Sequence, residues 1–523
     1  MVNASFLKPH SPILILDFGS QYSQLIARRI RDLGVYSEIH SYMLTEKELR
    51  DIAPCGIILS GGPDSINQQH APKIPKAVFA YGVPILGICY GMQAIAMQLG
   101  GQVQAGKHAE FGFSKLQIVD LPQALKPHSL FSCKKTVDVW MSHGDHVSAL
   151  PPGFYVEARS GKEIAAIMDP KRRYYGLQFH PEVTHTPQGQ LFLKRFVFDI
   201  CHCSSNWQPK EIISELIQDI RQKIKNEKII LAFSGGVDSA VVATLLHQAV
   251  GEQLQCIFVD TGLLRKNETQ EIKSIFLEKY HFKLSIVDAK KDFLNVLKGV
   301  FDPEEKRKRV GEMFIRIFEE EAKKYGECRW LAQGTIYSDV IESSAASYGA
   351  QIIKSHHNVG GLPSRMNLKL LEPLRYLFKD EVRKLGLLLG LPKSWVYRHP
   401  FPGAGLAIRV LGEVTENVLE KLRIADAIFI EELKKNNFYE KVSQAFAVFI
   451  PVNSVGVIGD ARQYAPIIGL RSVKTEDFMT ASWSDLPYEM LATISRRIVN
   501  EVTGVSRVVY DITGKPPATI EWE

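Results

Sequence analysis

A cysteine with a glycine two residues to either side, Gly87-Ile88-Cys89-Tyr90-Gly91, has the spacing of a nucleophile elbow with sulfur in place of the serine oxygen. A strand that turns abruptly into a helix crowds its own backbone, and glycine relieves that crowding. Cys89 would then stand at a helix N-terminus, where the dipole and free N–H groups favour the thiolate. A structural core cysteine is the plainer reading; the partners argue against it. In Gln178-Phe179-His180-Pro181-Glu182, residues two apart in an extended segment project to one side. Glu182 can therefore fix the tautomer of His180 while the other ring nitrogen faces the sulfur, which is the logic of a Cys-His-Glu triad. His180 and His185 are five apart with Pro181 between them, so this is not a zinc-protease helix. Gly61-Gly62-Pro63 offers N–H groups that, with the N–H of Tyr90, suit a developing oxyanion. Ser142-His143-Gly144-Asp145 reads as a polar turn, equally a surface loop or a substrate contact.

A second chemistry is written at Ser234-Gly235-Gly236-Val237-Asp238-Ser239. Small residues between a strand and a helix let the backbone close around phosphate oxygens, and the helix start adds N–H donors and positive potential. The loop lacks the Gly-Lys-Ser/Thr of a Walker A motif, which disfavours simple γ-phosphate transfer. Asp238 is a candidate magnesium ligand, since hard carboxylate oxygens suit that ion. Cys201-His202-Cys203 has no second cluster to complete a structural zinc site.

The elements that must hold these groups follow from periodicity. Apolar runs at 13–17, 56–60 and 84–88, each followed by a turn or an amphipathic helix, predict strands of a buried parallel sheet. Periodicity is lost at 201–209, a linker. A second α/β pattern opens with a helix at 210–225 and a strand at 228–233, and ends near a Pro-rich stretch at 391–405. The remainder mixes helices at 415–435 and 487–502 with strands at 447–452, 454–459 and 505–512. The expected fold is α/β: two doubly wound parallel-sheet domains, 1–205 and 206–397, followed by a smaller α+β domain, 398–523.

At 523 residues the chain exceeds one core, and 45% hydrophobic with 23% charged residues is ordinary for globular domains. A net charge of +6, without a basic stripe interleaved with aromatics, fits an anionic small substrate better than nucleic acid. Seven scattered cysteines are no disulfide framework, and the sequence carries neither a signal core nor a span-length apolar run, so a cytoplasmic enzyme without membrane or nucleic-acid partners is expected.

The runs LSGGP, GICYGMQ, MSHGD and QFHPE resemble class I glutamine amidotransferases over roughly residues 11–200. The resemblance implies glutamine hydrolysis through a γ-glutamyl thioester on Cys89, with Gly61, Tyr90, Gln93, Ser142 and His143 around the glutamine. The Ser234–Ser239 loop resembles that of N-type ATP pyrophosphatases, which cleave between the α and β phosphates. VDTGLLR, EKRKRVGE, AQGTIYSDVIES, IKSHHNVGGLP, FKDEVRKLG, RHPFPG and GKPPATIEWE extend the resemblance, over the whole chain, to glutamine-hydrolysing GMP synthetases. That family implies adenylylation of xanthosine 5'-monophosphate (XMP) by ATP with magnesium, displacement of AMP by ammonia, and a homodimer. By the same resemblance Val259, Asp339 and Glu342 join the ATP loop, and Lys354, Ser355, His356, His357 and Asn358 form a lid. Arg307, Lys515 and Glu521 contact XMP. The chain departs from the family pattern at Thr261 (commonly Asn or His), Ala404 (usually Pro) and Ala407 (usually Gly). Rival readings are another glutamine-fed adenylylating ligase such as NAD synthetase, which gives no reason for the GKPPATIEWE tail, and an RNA-modifying or RNA-binding protein, since some tRNA-thiolating enzymes share the SGGxDS loop.

Overall fold

Ile13–Leu16, Ile57–Leu59 and Ile85–Leu86 are fully buried in the computed structural model, as strands covered on both faces must be. The structure describes residues 11–131, 135–326, 328–346, 368–458, 461–475, 478 and 480–523. Its contacts separate Lys8–Ile212 from a unit comprising Ile213–Glu523.

The first unit carries a nine-stranded sheet: β1 (Ile13–Asp17), β2 (Ser37–Ser41), β3 (Gly56–Leu59), β4 (Ile85–Ile88), β5 (Gln102–Ile118), β6 (Thr136–Ala149), β7 (Tyr155–Ser160), β8 (Glu163–Asp169) and β9 (Tyr174–Leu177). The spatial order is β2-β1-β3-β4-β9-β8-β7-β5-β6. β2, β1, β3, β4 and β9 are mutually parallel, while β8, β7, β5 and β6 continue the sheet antiparallel. The expected parallel sheet is therefore the half that carries Cys89. The turn expected at Ser142–Asp145 is instead interior to β6. Its pairing with β5, Glu110 opposite His143 and Phe111 opposite Ser142, resumes after a register shift and holds these polar residues extended. Cross-strand bonding overrides the local turn propensity of His-Gly-Asp.

The second unit opens with a parallel sheet of β10 (Lys228–Ala232), β11 (Leu254–Asp260), β12 (Leu284–Asp288), β13 (Cys328–Ala332) and β14 (Lys369–Leu371), ordered β12-β11-β10-β13-β14. The order reverses between β10 and β13, so a crevice opens beyond their carboxyl ends. The chain closes with β15 (Gln444–Ile458), β16 (Ala461–Lys474), β17 (Ser482–Trp483) and β18 (Arg507–Asp511), backed by helices Glu416–Lys435 and Tyr488–Glu501. The two strands expected at 447–459 are one, β15, interrupted by a register shift between Ile450 and Ser454. Its partner β16 has no counterpart in the sequence reading, because its first half is exposed and polar and Pro466 interrupts its alternation. No helix among the described residues is long and apolar enough to cross a membrane.

Candidate active sites

β4 ends at Ile88, and Cys89 takes φ 51° and ψ −105° immediately before the helix Tyr90–Gln98. A positive φ on a side-chain-bearing residue is backbone strain of the kind held at functional sites. The two glycines are required by contact. A Cβ on Gly87 would lie 2.4 Å from the carbonyl carbon of Gly91, and one on Gly91 would lie 2.5 Å from the Leu59 oxygen. The Cys89 N–H donates to the Leu177 carbonyl at 2.7 Å, tying the elbow to β9.

His180 follows β9 in a bend, and the bend is pinned from several sides. Its N–H donates to the Trp140 carbonyl at 3.2 Å, and its own carbonyl accepts from Thr186 Oγ1 at 2.7 Å. Nδ1 lies 2.7 Å from Glu182 Oε1, and both side chains are buried. Burial disfavours the imidazolium, but the Glu182 charge and hydrogen bonds to Cys89 and Glu182 outweigh it and hold His180 well above the ordinary histidine range. Cys89, His180 and Glu182 are thus brought together in the order expected from their spacing.

The remaining residues expected here surround the sulfur. A Cβ on Gly61 would touch His180 Cε1 at 3.4 Å. Among the described residues, the N–H groups of Gly61 and Tyr90 are committed to no other hydrogen bond. Gln93 Nε2 donates to the Asp145 carbonyl at 2.9 Å, and the Ser142 carbonyl accepts from Cys89 Sγ at 3.6 Å. Buried His143 has its Nδ1 3.1 Å from the Asp145 carbonyl, and burial lowers its pKa. Two residues escaped the sequence reading. Gln178 Nε2 reaches Cys89 Sγ at 3.7 Å, and the same two-residue alternation that pairs His180 with Glu182, carried one step back, would have found it. Gly189 meets the Pro181 carbonyl so closely that a Cβ there would sit 1.7 Å from that oxygen, a contact no local pattern announces.

In the second unit the Ser234–Ser239 loop leaves β10 and opens the helix Val237–Val250. Ser234 Oγ and Ser239 Oγ are 3.0 Å apart, and Ser239 Oγ donates to the Gly236 carbonyl at 3.0 Å. Gly235 has φ 77°, and a Cβ there would lie 2.6 Å from Ile272 Cδ1. Asp238 Oδ2 accepts from Lys379 Nζ at 2.6 Å, while its Oδ1 is buried without a hydrogen-bond partner. Val259 is buried in β11 beside this end of the sheet. Asp339 lies in the helix Tyr337–Ala346 and its Oδ2 accepts from the Ile336 N–H at 3.0 Å. Arg398 also went unread as a site residue: it reaches the Gly235 carbonyl at 3.4 Å and Glu268 at 2.6 Å. Glu342 is in the same helix as Asp339, but its side chain, like all of Lys354–Asn358, lies outside the described residues.

The C-terminal segment is anchored. Buried Arg409 holds Glu521 with two hydrogen bonds, 2.9 and 3.1 Å, and Gln444 adds a third at 2.7 Å. Fully buried Lys306 donates to Glu523 and to the Val410 carbonyl, both at 2.6 Å, and neighbouring Arg307 donates to the Glu523 carbonyl. Lys515 Nζ donates to the Phe478 carbonyl at 2.7 Å. Arg307 and Arg409 therefore hold the last residues of the tail, Glu523 and Glu521 respectively, and Lys515 makes a separate contact.

Against known proteins, residues 14–200 match the family "Glutamine amidotransferase class-I", residues 210–317 match "NAD synthase", and residues 431–522 match "GMP synthase C terminal domain". Over 516 residues, 98% of each chain, the sequence is 57% identical to the glutamine-hydrolysing GMP synthase of Alkalilimnicola ehrlichii and 58% identical to that of Coxiella burnetii. With that of Legionella pneumophila it shares 57% identity over 520 residues, 98% of this chain and 99% of the relative. The chain belongs to the glutamine-hydrolysing GMP synthase family. The NAD synthase likeness is confined to the phosphate-loop part of the second unit, whereas GMP synthases match from end to end.

Proposed function

We propose that this GMP synthase family member aminates XMP to GMP, consuming glutamine and ATP and releasing glutamate, AMP and pyrophosphate. One observation carries the reading: a thiol–imidazole–carboxylate constellation and a phosphate-cradling loop that is not of Walker type occur on one chain. The direct test supplies XMP, ATP and glutamine and measures GMP, pyrophosphate and glutamate in equal amounts. Amination of deamido-NAD in place of XMP would overturn it.

In the glutaminase, Cys89 attacks the side-chain amide carbon of glutamine and His180 protonates the departing ammonia. Gly61 and Tyr90 N–H groups face the oxyanion, Gln93, Ser142 and His143 line the glutamine, and water then cleaves the thioester. Gly189 keeps the Pro181 carbonyl, and with it His180 and Glu182, in place. Gly189→Ala is expected to lower glutamine-dependent GMP formation by about 10²-fold, the scale of an ångström misplacement, while ammonium-dependent formation stays within about twofold. Parallel assays with the two nitrogen donors check this.

At the other site the Ser234–Ser239 backbone, with Val259, Asp339 and Glu342, binds ATP for adenylyl transfer to XMP, and Lys354–Asn358 close over it. Asp238 fits magnesium, because its buried Oδ1 has no hydrogen-bond partner at a helix start aimed at phosphates. When bound, the ion offsets phosphate charge. Arg307, Lys515 and Glu521 contact XMP. Lys515→Ala is expected to raise the apparent Michaelis constant for XMP by about ten- to a hundredfold, the worth of one charge-assisted contact to phosphate, with little change for ATP. An XMP titration at saturating ATP and ammonium reads this directly, and an unchanged response rejects the contact.

We assign the glutaminase to 1–205, the ATP site to 206–397 and dimerisation with XMP binding to 398–523, in a cytoplasmic homodimer. Exposure of Val455, Val457 and Tyr464 on the β15–β16 hairpin supports a second copy as its cover.

A further inference from the structure

On the antiparallel side of the first sheet, β5, β6 and β8 bring Glu110, His143 and Glu163 together, one potential ligand atom from each lying within 4.8 Å of the others. The arrangement poses an electrostatic problem. His143 Nδ1 contacts the Asp145 carbonyl, and a carbonyl only accepts, so Nδ1 carries the proton. In the neutral ring Nε2 is then a bare lone pair, and it lies 3.4 Å from Glu110 Oε2. The His143 side chain is 4% exposed, and Nε2 has no hydrogen-bond partner. A buried lone pair facing a carboxylate oxygen, here on the one-third-exposed Glu110, repels it unless a proton or a cation lies between them.

We propose that Glu110, His143 and Glu163 bind one divalent transition-metal cation of the zinc class, through two carboxylate oxygens and the His143 Nε2, leaving a fourth position for water. Imidazole and carboxylate suit such a cation, and an Nδ1–H held by a backbone carbonyl is the usual outer support of a metal-bound histidine. The edge of a tetrahedron built on zinc bond lengths is about 3.3 Å. The Nε2 to Oε2 separation already matches it, and the partly exposed Glu163 has room to close the remaining distance. Ser160 Oγ holds the other Glu110 oxygen at 2.7 Å, which orients that ligand. The site adjoins the thiol site through β6: Ser142 meets Cys89 Sγ, and the Asp145 carbonyl that holds His143 also holds Gln93. A cation here would fix the register of the strand that lines the glutamine, with His143 acting there through its backbone.

The test uses the full chain, stripped of metal by a chelator and titrated with cobalt(II) as a visible-absorbing substitute for zinc. One equivalent is expected to give d–d absorption without thiolate charge transfer, which separates this site from Cys89 and from the thiols of Cys55 and Cys203, whose sulfurs lie 2.6 Å apart, and zinc should displace it. Glu110→Gln and Glu163→Gln should each weaken this binding by at least about tenfold. Thermal melts establish that the variants are folded, and if Glu110→Gln is not, the more exposed Glu163 decides the matter. Cobalt bound only at thiolates, or a nitrogen–oxygen spectrum unchanged in folded Glu163→Gln, overturns the proposal.

Discussion

Cys89→Ala is expected to abolish GMP formation from glutamine, by on the order of 10⁴-fold or more, and to leave formation from saturating ammonium near normal. The substitution removes one sulfur and adds little strain of its own, because alanine accepts φ 51° no worse than cysteine does. The elbow backbone remains held by the Cys89 N–H to Leu177 bond and by the backbone approach at Gly87 and Gly91. What disappears is the nucleophile, and neither His180 nor the oxyanion donors can replace a covalent step. Adenylylation of XMP uses none of these atoms. Glutamate release and GMP formation, measured with each nitrogen donor, separate the two halves. Equal loss with both donors would refute independent sites.

How much of this was legible depends on how local each interaction is. Cys89 between Gly87 and Gly91, and His180 two residues before Glu182, state their geometry within five residues, so spacing alone placed them. The Ser234–Ser239 loop is equally local. Asp238 and Lys379 are 141 residues apart, and only the fold of the second sheet brings them to 2.6 Å. Cys55 and Cys203, whose sulfurs lie 2.6 Å apart, are separated by a similar length of chain. His143 shows the opposite failure: its local signal, a polar His-Gly-Asp turn, was real as propensity but lost to pairing with Glu110 and Phe111 across the sheet. The tail from Gly514 carries too little apolar pattern to announce that it is anchored. Its anchors are polar and distant: buried Arg471 takes the carbonyls of Thr513, Thr519 and Ile520, while Lys306 and Arg409 take Glu523 and Glu521. Once family resemblance pointed to Glu521 and Lys515, only the structure could supply the partners that hold each in place.

Asp238→Asn is expected to suppress pyrophosphate and AMP release by about 10²-fold or more with either nitrogen donor, because adenylylation precedes the use of ammonia. The change is nearly isosteric and keeps an oxygen for Lys379, so the helix start at Val237 should persist, and a thermal melt checks that it does. Two consequences follow from the lost charge. The carboxylate whose buried Oδ1 has no hydrogen-bond partner ceases to be a hard anionic donor for magnesium, and the Lys379 ammonium is no longer neutralised beside the phosphates. These act in opposite directions on ATP binding: a lysine whose charge is no longer neutralised attracts phosphate, whereas loss of the metal leaves the phosphate charge unscreened. A magnesium titration resolves them. If metal binding is the main role of Asp238, raising magnesium should restore part of the pyrophosphate release, and the magnesium concentration for half-maximal rate should rise by about tenfold or more. If Asp238 acts mainly by holding Lys379, Lys379→Met should reproduce the defect and magnesium should not relieve it. Pyrophosphate release near the wild-type rate in folded Asp238→Asn would remove the residue from the adenylylation step altogether.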